Sequence, residues 1–253
     1  MVGADDAAAA AFELDLLRSA GADVVLVPLA LGPVFENIET PVGRRQRCVS
    51  AADPLRRSEL PAGWTASTAV VLGPVAGELG DEWATVPSNE AMVALGWQGL
   101  LRTVVAGHDV ERRAPVAGPL VTRADLVVVS DDDLGPAVRP GDVVPLVRPG
   151  ATLVITRGER GGSAFSRPLA GRAGLRAYSA SPATEVVDPT GAGDVFLAAL
   201  VATAMDGDRL GVGSGWSERL VFAAAAASLV VEAPGPTGVP DLEAVRTRLA
   251  ARR

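Results

Sequence analysis

Lysine is missing from this 253-residue sequence, and all 23 of its basic residues are arginine. The absence excludes a Schiff base, a pyridoxal phosphate anchor and the lysine of a Walker A loop. Cysteine and histidine occur once each, as Cys48 and His108. A zinc site of Cys and His ligands and a disulfide within the chain are therefore excluded. Any catalysis here depends on carboxylates, backbone amides, arginine or a bound metal.

Positive charge and long apolar runs are also scarce. The net charge is -7 and the sequence pI is about 4.8, so no broad basic face is available for a nucleic acid backbone. No apolar run approaches the roughly 20 residues that span a bilayer. Asp5, Asp6, Glu13 and Asp15 stand where a signal peptide needs a basic start and an apolar core. We predict a cytoplasmic protein with no membrane or nucleic acid partner.

The chain is predicted to form one domain, residues 1–253, because 48% hydrophobic residues can bury a large core at this length. Short, Val-rich apolar stretches indicate strands that are covered on both faces. These stretches are 24–29, 69–72, 92–95, 125–129 and 152–156. Helices are predicted at 194–205, 217–231 and 241–251. The alternation favours an α/β sandwich with a mostly parallel sheet, and residues 34–50 suit a pair of lid-like strands off that sheet.

Near the start, Asp5 or Asp6 can cap a helix in which Phe12, Leu16 and Leu17 share one face. Gly21 follows as a stop signal for this helix.

The segment Asp188-Pro189-Thr190-Gly191-Ala192-Gly193-Asp194 runs directly into an apolar helix. Two glycines at a helix start let a ligand approach the backbone, and the first-turn amides carry the positive end of the helix dipole. A carboxylate in the same turn repels an anion unless it takes a proton from an attacking hydroxyl. The pattern indicates phosphoryl transfer to an alcohol. The structural alternative is an Asp that caps the helix behind a Gly-rich turn.

These seven residues closely resemble the C-terminal signature of the PfkB, or ribokinase-like, carbohydrate kinases. The resemblance implies a three-layer αβα sandwich, with Asp194 as catalytic base and Gly191, Ala192 and Gly193 as the anion hole. It also implies ATP as donor and magnesium as cofactor.

A second segment supports the same family. Residues 153–162 indicate a strand that enters a Gly-rich loop, and they resemble the nucleotide loop Thr-x-Gly-x-x-Gly, with matches at Thr156, Gly158 and Gly161. A hairpin turn is the plain alternative. Arg157 and Arg160 could reach phosphates, although exposed arginine is common.

Family members often carry Asn-x-x-Glu before this loop, where it organises magnesium and its water shell. Here Ser130 replaces the Asn and Asp133 replaces the Glu. Asp is an oxygen ligand that suits magnesium. The same two residues fit a helix capping pair equally well, and the two interpretations are compatible.

Two further positions follow from the resemblance. Asp188 and Thr190 match residues that bind a monovalent cation such as K⁺ in some members, completed by carbonyls of a loop similar to 233–235. The helix 222–231 matches the one that lines the adenine pocket. The alanine run 223–227 is equally what close helix packing selects.

The resemblance weakens towards the N-terminus. The Gly-Gly segment and the Asn that hold the sugar in relatives have no counterpart in this sequence. Residues 2–5 instead resemble a Val-Gly-x-Asp stretch that follows the first strands of those relatives. We therefore expect a chain that is truncated relative to its family. A missing central strand leaves a sheet edge or groove for something else to cover, such as a partner chain, and a homodimer is one such assembly.

The first hypothesis is an ATP-dependent kinase for a sugar, polyol or related small alcohol. A nucleoside kinase is an alternative in the same fold. A non-catalytic ribokinase-like binding or regulatory protein is the alternative from another class, favoured by Ser130 and the missing segment and opposed by Asp194.

Overall fold

A computed structural model of the chain describes residues 1–40 and 43–251. The strands, in chain order, are β1 (Val2–Ala4), β2 (Leu26–Pro28), β3 (Val34–Thr40), β4 (Gly43–Ser50), β5 (Ala69–Leu72), β6 (Met92–Gly96), β7 (Arg102–Thr103), β8 (Glu111–Arg112), β9 (Leu126–Ser130), β10 (Thr152–Thr156), β11 (Gly162–Ser166) and β12 (Gly174–Tyr178). The helices are α1 (Asp6–Ala9), α2 (Glu13–Ser19), α3 (Pro119–Arg123), α4 (Asp131–Leu134), α5 (Pro140–Val143), α6 (Ala192–Leu210), α7 (Trp216–Val230) and α8 (Leu242–Ala250). Short 3₁₀ turns connect several of these elements.

The main sheet has six strands in the spatial order β12-β11-β10-β9-β6-β5. Strands β5, β6, β9 and β10 pair in parallel, whereas β11 and β12 add antiparallel strands at one edge. The strand predicted at 152–156 is β10, and that predicted at 125–129 lies one residue later, as β9. This pairing confirms the predicted, mostly parallel sheet. Strands that are covered on both faces appear in the sequence as short apolar runs, which is why they could be predicted.

Successive residues of the central strands enter two separate cores. Leu153 and Ile155 of β10 belong to a core that also contains Leu134 of α4. Val154, between them, belongs to a second core that contains Leu197 of α6 and residues of α7 and α8. The alternation follows from the two-residue period of a strand. Helices thus cover both faces of the sheet, and the predicted three-layer sandwich is confirmed.

Residues 34–50 form the predicted antiparallel hairpin of β3 and β4, with an irregularity between Val34 and Phe35. The predicted segment includes residues 41 and 42, which lie outside the described residues. Cys48 is buried in β4, and its amide donates to the carbonyl of His108 over 2.9 Å. The function of this hairpin as a lid stays a prediction.

The N-terminal helix differs from its prediction. Two short helices, α1 and α2, replace a single one, and Asp5 caps α1 by accepting the amide of Ala8 over 2.9 Å. Phe12 lies between the two helices and is 59% exposed, and Leu16 and Leu17 are also exposed. The shared apolar face therefore packs against none of the described elements closely enough to be buried. Within the described ranges, no helix combines the length and apolar character that a bilayer span needs.

Candidate active site

The segment after Asp188 ends in the first turn of α6. Gly191 is the N-cap residue, and its φ of 83° lies in the left-handed region that favours glycine. The amide of Val195 donates to the carbonyl of Gly191 over 2.9 Å, which is the first bond of the helical ladder. The amides of Gly193 and Asp194 precede that bond and have no carbonyl partner within the helix. They lie at the positive end of the helix dipole, where an anion is stabilised.

Gly193 leaves open space in front of this turn. The residue is exposed, and a Cβ atom built on it would have no heavy atom within 4 Å beyond its own neighbours. A ligand oxygen can therefore reach the backbone directly.

Asp194 occupies the same turn of α6. One turn later, Leu197 lies beside Gly96, the last residue of β6, where a built Cβ would be 3.7 Å from the leucine Cδ2. This part of α6 therefore lies near the carboxyl end of β6, the side where ligands bind in open α/β sheets.

The Asp194 carboxyl is a stronger base than an ordinary aspartate. Nearby protein atoms partly desolvate the carboxyl group and raise its pKa above the usual value, while the residue as a whole stays exposed. Desolvation disfavours the charged form of a carboxyl group, which is the physical cause of the shift.

Tyr178 links the Gly-rich loop to the start of α6. Its ring stacks on Phe196 with the ring centres 5.5 Å apart. Its carbonyl oxygen lies so close to Gly161 that any Cβ at that position would overlap it. Gly161 also has a φ of 79°, so both space and backbone conformation require glycine. The loop and the helix start are therefore held by the same residue at the end of β12.

The Thr156–Gly161 loop is closed by its own backbone. The amide of Arg157 donates to the carbonyl of Gly161 over 2.7 Å, and the amide of Gly161 donates to that of Gly158 over 3.0 Å. The loop follows β10 directly, as predicted.

Asp188 connects the loop 233–235 to the segment 188–194 by hydrogen bonds. Its carboxylate accepts the amide of Thr190 over 2.9 Å and the amide of Gly235 over 3.1 Å. The structure therefore brings together Asp188, Thr190 and Gly235, which were predicted for the monovalent cation site. The binding of a cation by this group stays a prediction.

Comparisons with known proteins agree with this geometry. Residues 124–242 match the model of the pfkB family carbohydrate kinases. This part of the chain is similar to the pfkB family. The matched segment contains β9, β10, the Gly-rich loop and the whole of α6.

Solved structures of ribokinase-family kinases show the same fold. A pyrophosphate-dependent kinase of the ribokinase family, in complex with sulfate, is similar over 97% of this chain and 84% of its own, with a TM-score of 0.75 and 19% identity. Ribokinase from Thermotoga maritima is similar over 98% of this chain and 79% of its own, with a TM-score of 0.67 and 17% identity. The nucleoside kinase of Methanocaldococcus jannaschii is similar over the same shares, with a TM-score of 0.64 and 15% identity. No curated protein sequence matches the chain.

The Ser130 and Asp133 pair forms a helix cap. The Ser130 hydroxyl accepts the amide of Asp133 over 3.0 Å and donates to its carboxylate over 2.6 Å. The carboxylate also accepts from Gln98 over 3.1 Å and from Arg102 over 3.2 Å. Arg102 and Asp133 have only 19% and 13% of their side chains exposed.

This arrangement does not suit direct coordination of a metal ion. Both oxygens of Asp133 already accept hydrogen bonds, and the Arg102 guanidinium neutralises its charge. Within residues 1–40 and 43–251, no group of three or more acidic, His or Cys side chains could hold a metal. The predicted capping pair is present, and the magnesium role of Ser130 and Asp133 through the water shell stays a prediction.

Arg157 and Arg160 of the Gly-rich loop pair with Asp131 at the start of α4. The Arg160 guanidinium lies 3.0 Å from the Asp131 carboxylate, and Arg157 lies 3.8 Å from it and donates to the Ser163 hydroxyl over 2.9 Å. A cavity of about 360 Å³ adjoins them, with Arg112 also in its lining. A phosphate that entered here would compete with Asp131 for both guanidinium groups.

The small-residue run of α7 packs into the protein core. Ala223 and Ala225 are 0% exposed, and Ala224 and Ala226 are at most 6% exposed. All four belong to the core that α6 shares with the sheet. Helix packing therefore explains this run, and its part in an adenine pocket stays a prediction.

Sequence reasoning missed three residues that organise this region. Tyr178, Arg102 and Asp131 contact site residues that are distant in the sequence. Ser130 and Asp133 were predicted as a pair from their spacing alone. Nothing local indicated which basic side chain would pair with each carboxylate.

Proposed function

We propose that the protein is a kinase that transfers a phosphoryl group to a hydroxyl group of a sugar, polyol or related small alcohol. The observation that carries the proposal is the position of Asp194, which shares the first turn of α6 with the open amide of Gly193. A base and an anion site within one turn suit transfer to an alcohol, because one group takes the proton while the other stabilises the phosphoryl oxygens.

In the proposed reaction, the Asp194 carboxylate accepts the proton of the acceptor hydroxyl. The acceptor oxygen forms a bond to the terminal phosphorus of the donor, and the bond from that phosphorus to its bridging oxygen breaks. The leaving group departs with the electron pair of that bond. The amides of Gly193 and Asp194 stabilise the negative charge on the transferring group. The raised pKa of Asp194 brings the base closer to neutral pH, where general bases are most effective.

We propose ATP as donor, held between the Thr156–Gly161 loop and the first turn of α6. Pyrophosphate is a second candidate. The buried state of Ala223–Ala226 supports it, because these alanines of α7 present little surface for the adenine ring of a nucleotide. A similar structure belongs to a pyrophosphate-dependent kinase. Both donors present the same terminal phosphate to Asp194, so the proposed chemistry is unchanged.

The test measures phosphorylation of a panel of sugars, polyols and nucleosides with either ATP or pyrophosphate. Donors are supplied as magnesium complexes, because kinase sites hold Mg²⁺ largely through substrate phosphates. Potassium is exchanged for sodium in a parallel series, which tests the cation role proposed for Asp188 and Thr190.

Two variants complete the experiment. Asp194→Asn should lower turnover by roughly 10²–10⁴, which is the usual contribution of a general base. Asp208→Asn changes an exposed Asp in the same helix and should leave turnover unchanged. Equal turnover of the Asp194 variant and its parent would exclude the proposed mechanism. Binding of donor without transfer to any acceptor would favour the non-catalytic alternative. A cytoplasmic location and a homodimer stay predictions.

A further inference from the structure

The cavity of about 360 Å³ beside the Gly-rich loop lies on the face of the sheet opposite α6. Ile155 of β10 and Leu134 of α4 line it, and both belong to the core that contains Leu153. Residues of α6, α7 and α8 belong to the second core, on the other face. The cavity is therefore separate from the first turn of α6. We call it the arginine cavity, after three residues of its lining, Arg112, Arg157 and Arg160.

The three guanidinium groups come from two separate parts of the chain. Arg112 belongs to β8, whereas Arg157 and Arg160 belong to the Gly-rich loop. Arg112 packs on the turn that ends α4, because a Cβ built on Gly135 would be 3.5 Å from its Cδ and 4.0 Å from its Nη1. The fold thus brings an arginine of β8 to the same cavity as the two arginines of the loop.

Many N–H groups of these arginines remain available to a ligand. A guanidinium group carries five N–H donors. Arg160 donates to Asp131 over 3.0 Å, and Arg157 donates to Ser163 over 2.9 Å. Arg112 takes part in no side-chain hydrogen bond or ion pair within residues 1–40 and 43–251. A phosphate group suits such donors, because its oxygens can accept from several guanidinium groups at once.

Two acidic side chains also line the arginine cavity. Asp131 and Asp132 offset two of the three positive charges, which leaves one positive charge before a ligand enters. The Asp131 carboxylate lies 3.0 Å from Arg160 and 3.8 Å from Arg157. The two loop arginines therefore already hold one anionic group between them, and a phosphate oxygen can replace it.

The rest of the lining is largely apolar. Leu134, Val138 and Ile155 are joined there by Pro136 and Pro140. Apolar surface of this kind accepts the carbon skeleton of a ligand, whereas inorganic phosphate leaves that surface uncovered. The lining therefore favours an organic phosphate over the free ion.

We propose that the arginine cavity binds a small phosphate monoester. Arg112 and the loop arginines hold its phosphate group, and the apolar wall formed by Leu134, Val138 and Ile155 covers its carbon skeleton. The ester competes with Asp131 for Arg157 and Arg160. None of these groups belongs to α6, so the site is distinct from the one proposed for phosphoryl transfer.

The test is a calorimetric titration of the chain with phenyl phosphate and, in parallel, with inorganic phosphate at the same ionic strength. Both probes carry the phosphate group, and only the ester carries an apolar skeleton. Phenyl phosphate should bind several-fold more tightly, because its ring covers apolar surface of the cavity. Equal affinity for the two probes, or no binding of phenyl phosphate, would overturn the proposal.

Arg112→Gln is the deciding variant, since Arg112 is exposed and no ion pair connects it to the described fold. The substitution should weaken the binding of phenyl phosphate at least about tenfold, which is typical for the loss of a hydrogen bond between charged groups. Arg113→Gln is the matched control. It removes the same charge from the next residue, which is also exposed and lies outside the lining, and should leave binding unchanged. Equal weakening by both variants would overturn the proposal.

Two further variants separate the arginine cavity from other anion sites. Asp131→Asn should tighten the binding of phenyl phosphate, because it releases Arg157 and Arg160 from their anionic partner. Gly193→Ala places a methyl group in the open turn of α6, on the other face of the sheet, and should leave that binding intact. Loss of binding in either variant would overturn the proposal. No measurement uses turnover, so the outcome is independent of the proposed kinase activity.

Discussion

Arg102 and Asp133 form a largely buried ion pair, with 3.2 Å between a guanidinium nitrogen and a carboxylate oxygen. Arg102 begins β7, and its guanidinium also donates to the side chain of Gln46 on the β3–β4 hairpin over 3.4 Å. Asp133 lies in α4, after β9. The pair therefore connects the hairpin to the carboxyl end of the central sheet, beside the Gly-rich loop.

The first prediction concerns this pair. Asp133→Asn should lower the free energy of unfolding by about 1–3 kcal/mol, because it leaves the Arg102 guanidinium without its charged partner. Urea unfolding of the single variants, of Arg102→Met and of the double variant measures the coupling. Asp132→Asn is the control, since Asp132 is an exposed neighbour in the same short helix.

The same variants separate a structural role from a metal role. If Asp133 holds only Arg102 and Ser130, the magnesium concentration for half-maximal phosphorylation should be the same in Asp133→Asn as in the parent. A large increase in that concentration would restore the metal interpretation. An effect on stability no larger than that of Asp132→Asn would contradict the importance of the ion pair.

The sequence was informative wherever structure is determined locally. The strand 152–156 and the cap formed by Ser130 follow from apolar runs and from a hydroxyl one residue before an acidic turn. The helix at Asp194 followed from glycines that precede an apolar stretch. These patterns act over a few residues, so the rest of the chain cannot easily override them.

Contacts between residues distant in the sequence could not be predicted from it. Arg102 and Asp133 are 31 residues apart, and several arginines could have paired with that carboxylate. At Phe12 the sequence predicted a contact that the structure lacks. The apolar spacing indicated a shared face, whereas the neighbouring elements leave the residue exposed. Periodicity indicates which side chains can share a face and does not supply the element that covers them.

The second prediction tests the open turn at Gly193. Gly193→Ala should keep or slightly raise the melting temperature, because alanine is favoured over glycine in a helix by up to ~1 kcal/mol and a Cβ there meets no atom within 4 Å. Turnover should nevertheless fall at least about tenfold, since the methyl group occupies the space in which the phosphoryl oxygens approach the amides.

Gly141→Ala is the matched control for this variant. Gly141 is the second residue of α5, as Gly193 is of α6, and a Cβ built on it also meets no atom within 4 Å. Its substitution should have a similarly small effect on melting and none on turnover. Full activity of Gly193→Ala would show that ligand does not approach this backbone.

The last prediction follows from the raised pKa of Asp194. Because the folded protein binds this proton more tightly than the unfolded chain does, the contribution of Asp194 to stability falls as pH rises from the usual Asp range, near 3.9, through the raised value. Asn at position 194 carries no charge at any of these pH values. Asp194→Asn should therefore be more stable than the parent at pH 7, and the difference should disappear below about pH 3.5.

Activity should follow the opposite course. Only the ionised carboxylate can take the proton of the acceptor, so the parent should lose turnover on the acid side, with a midpoint above the pKa of an ordinary Asp. The residual turnover of Asp194→Asn should lack that midpoint. Paired melting curves and rate profiles between pH 3 and pH 8 measure both effects. If the variant were less stable than the parent at pH 7, Asp194 would be a helix cap that stabilises the fold, and the assignment as a base would lose its physical support.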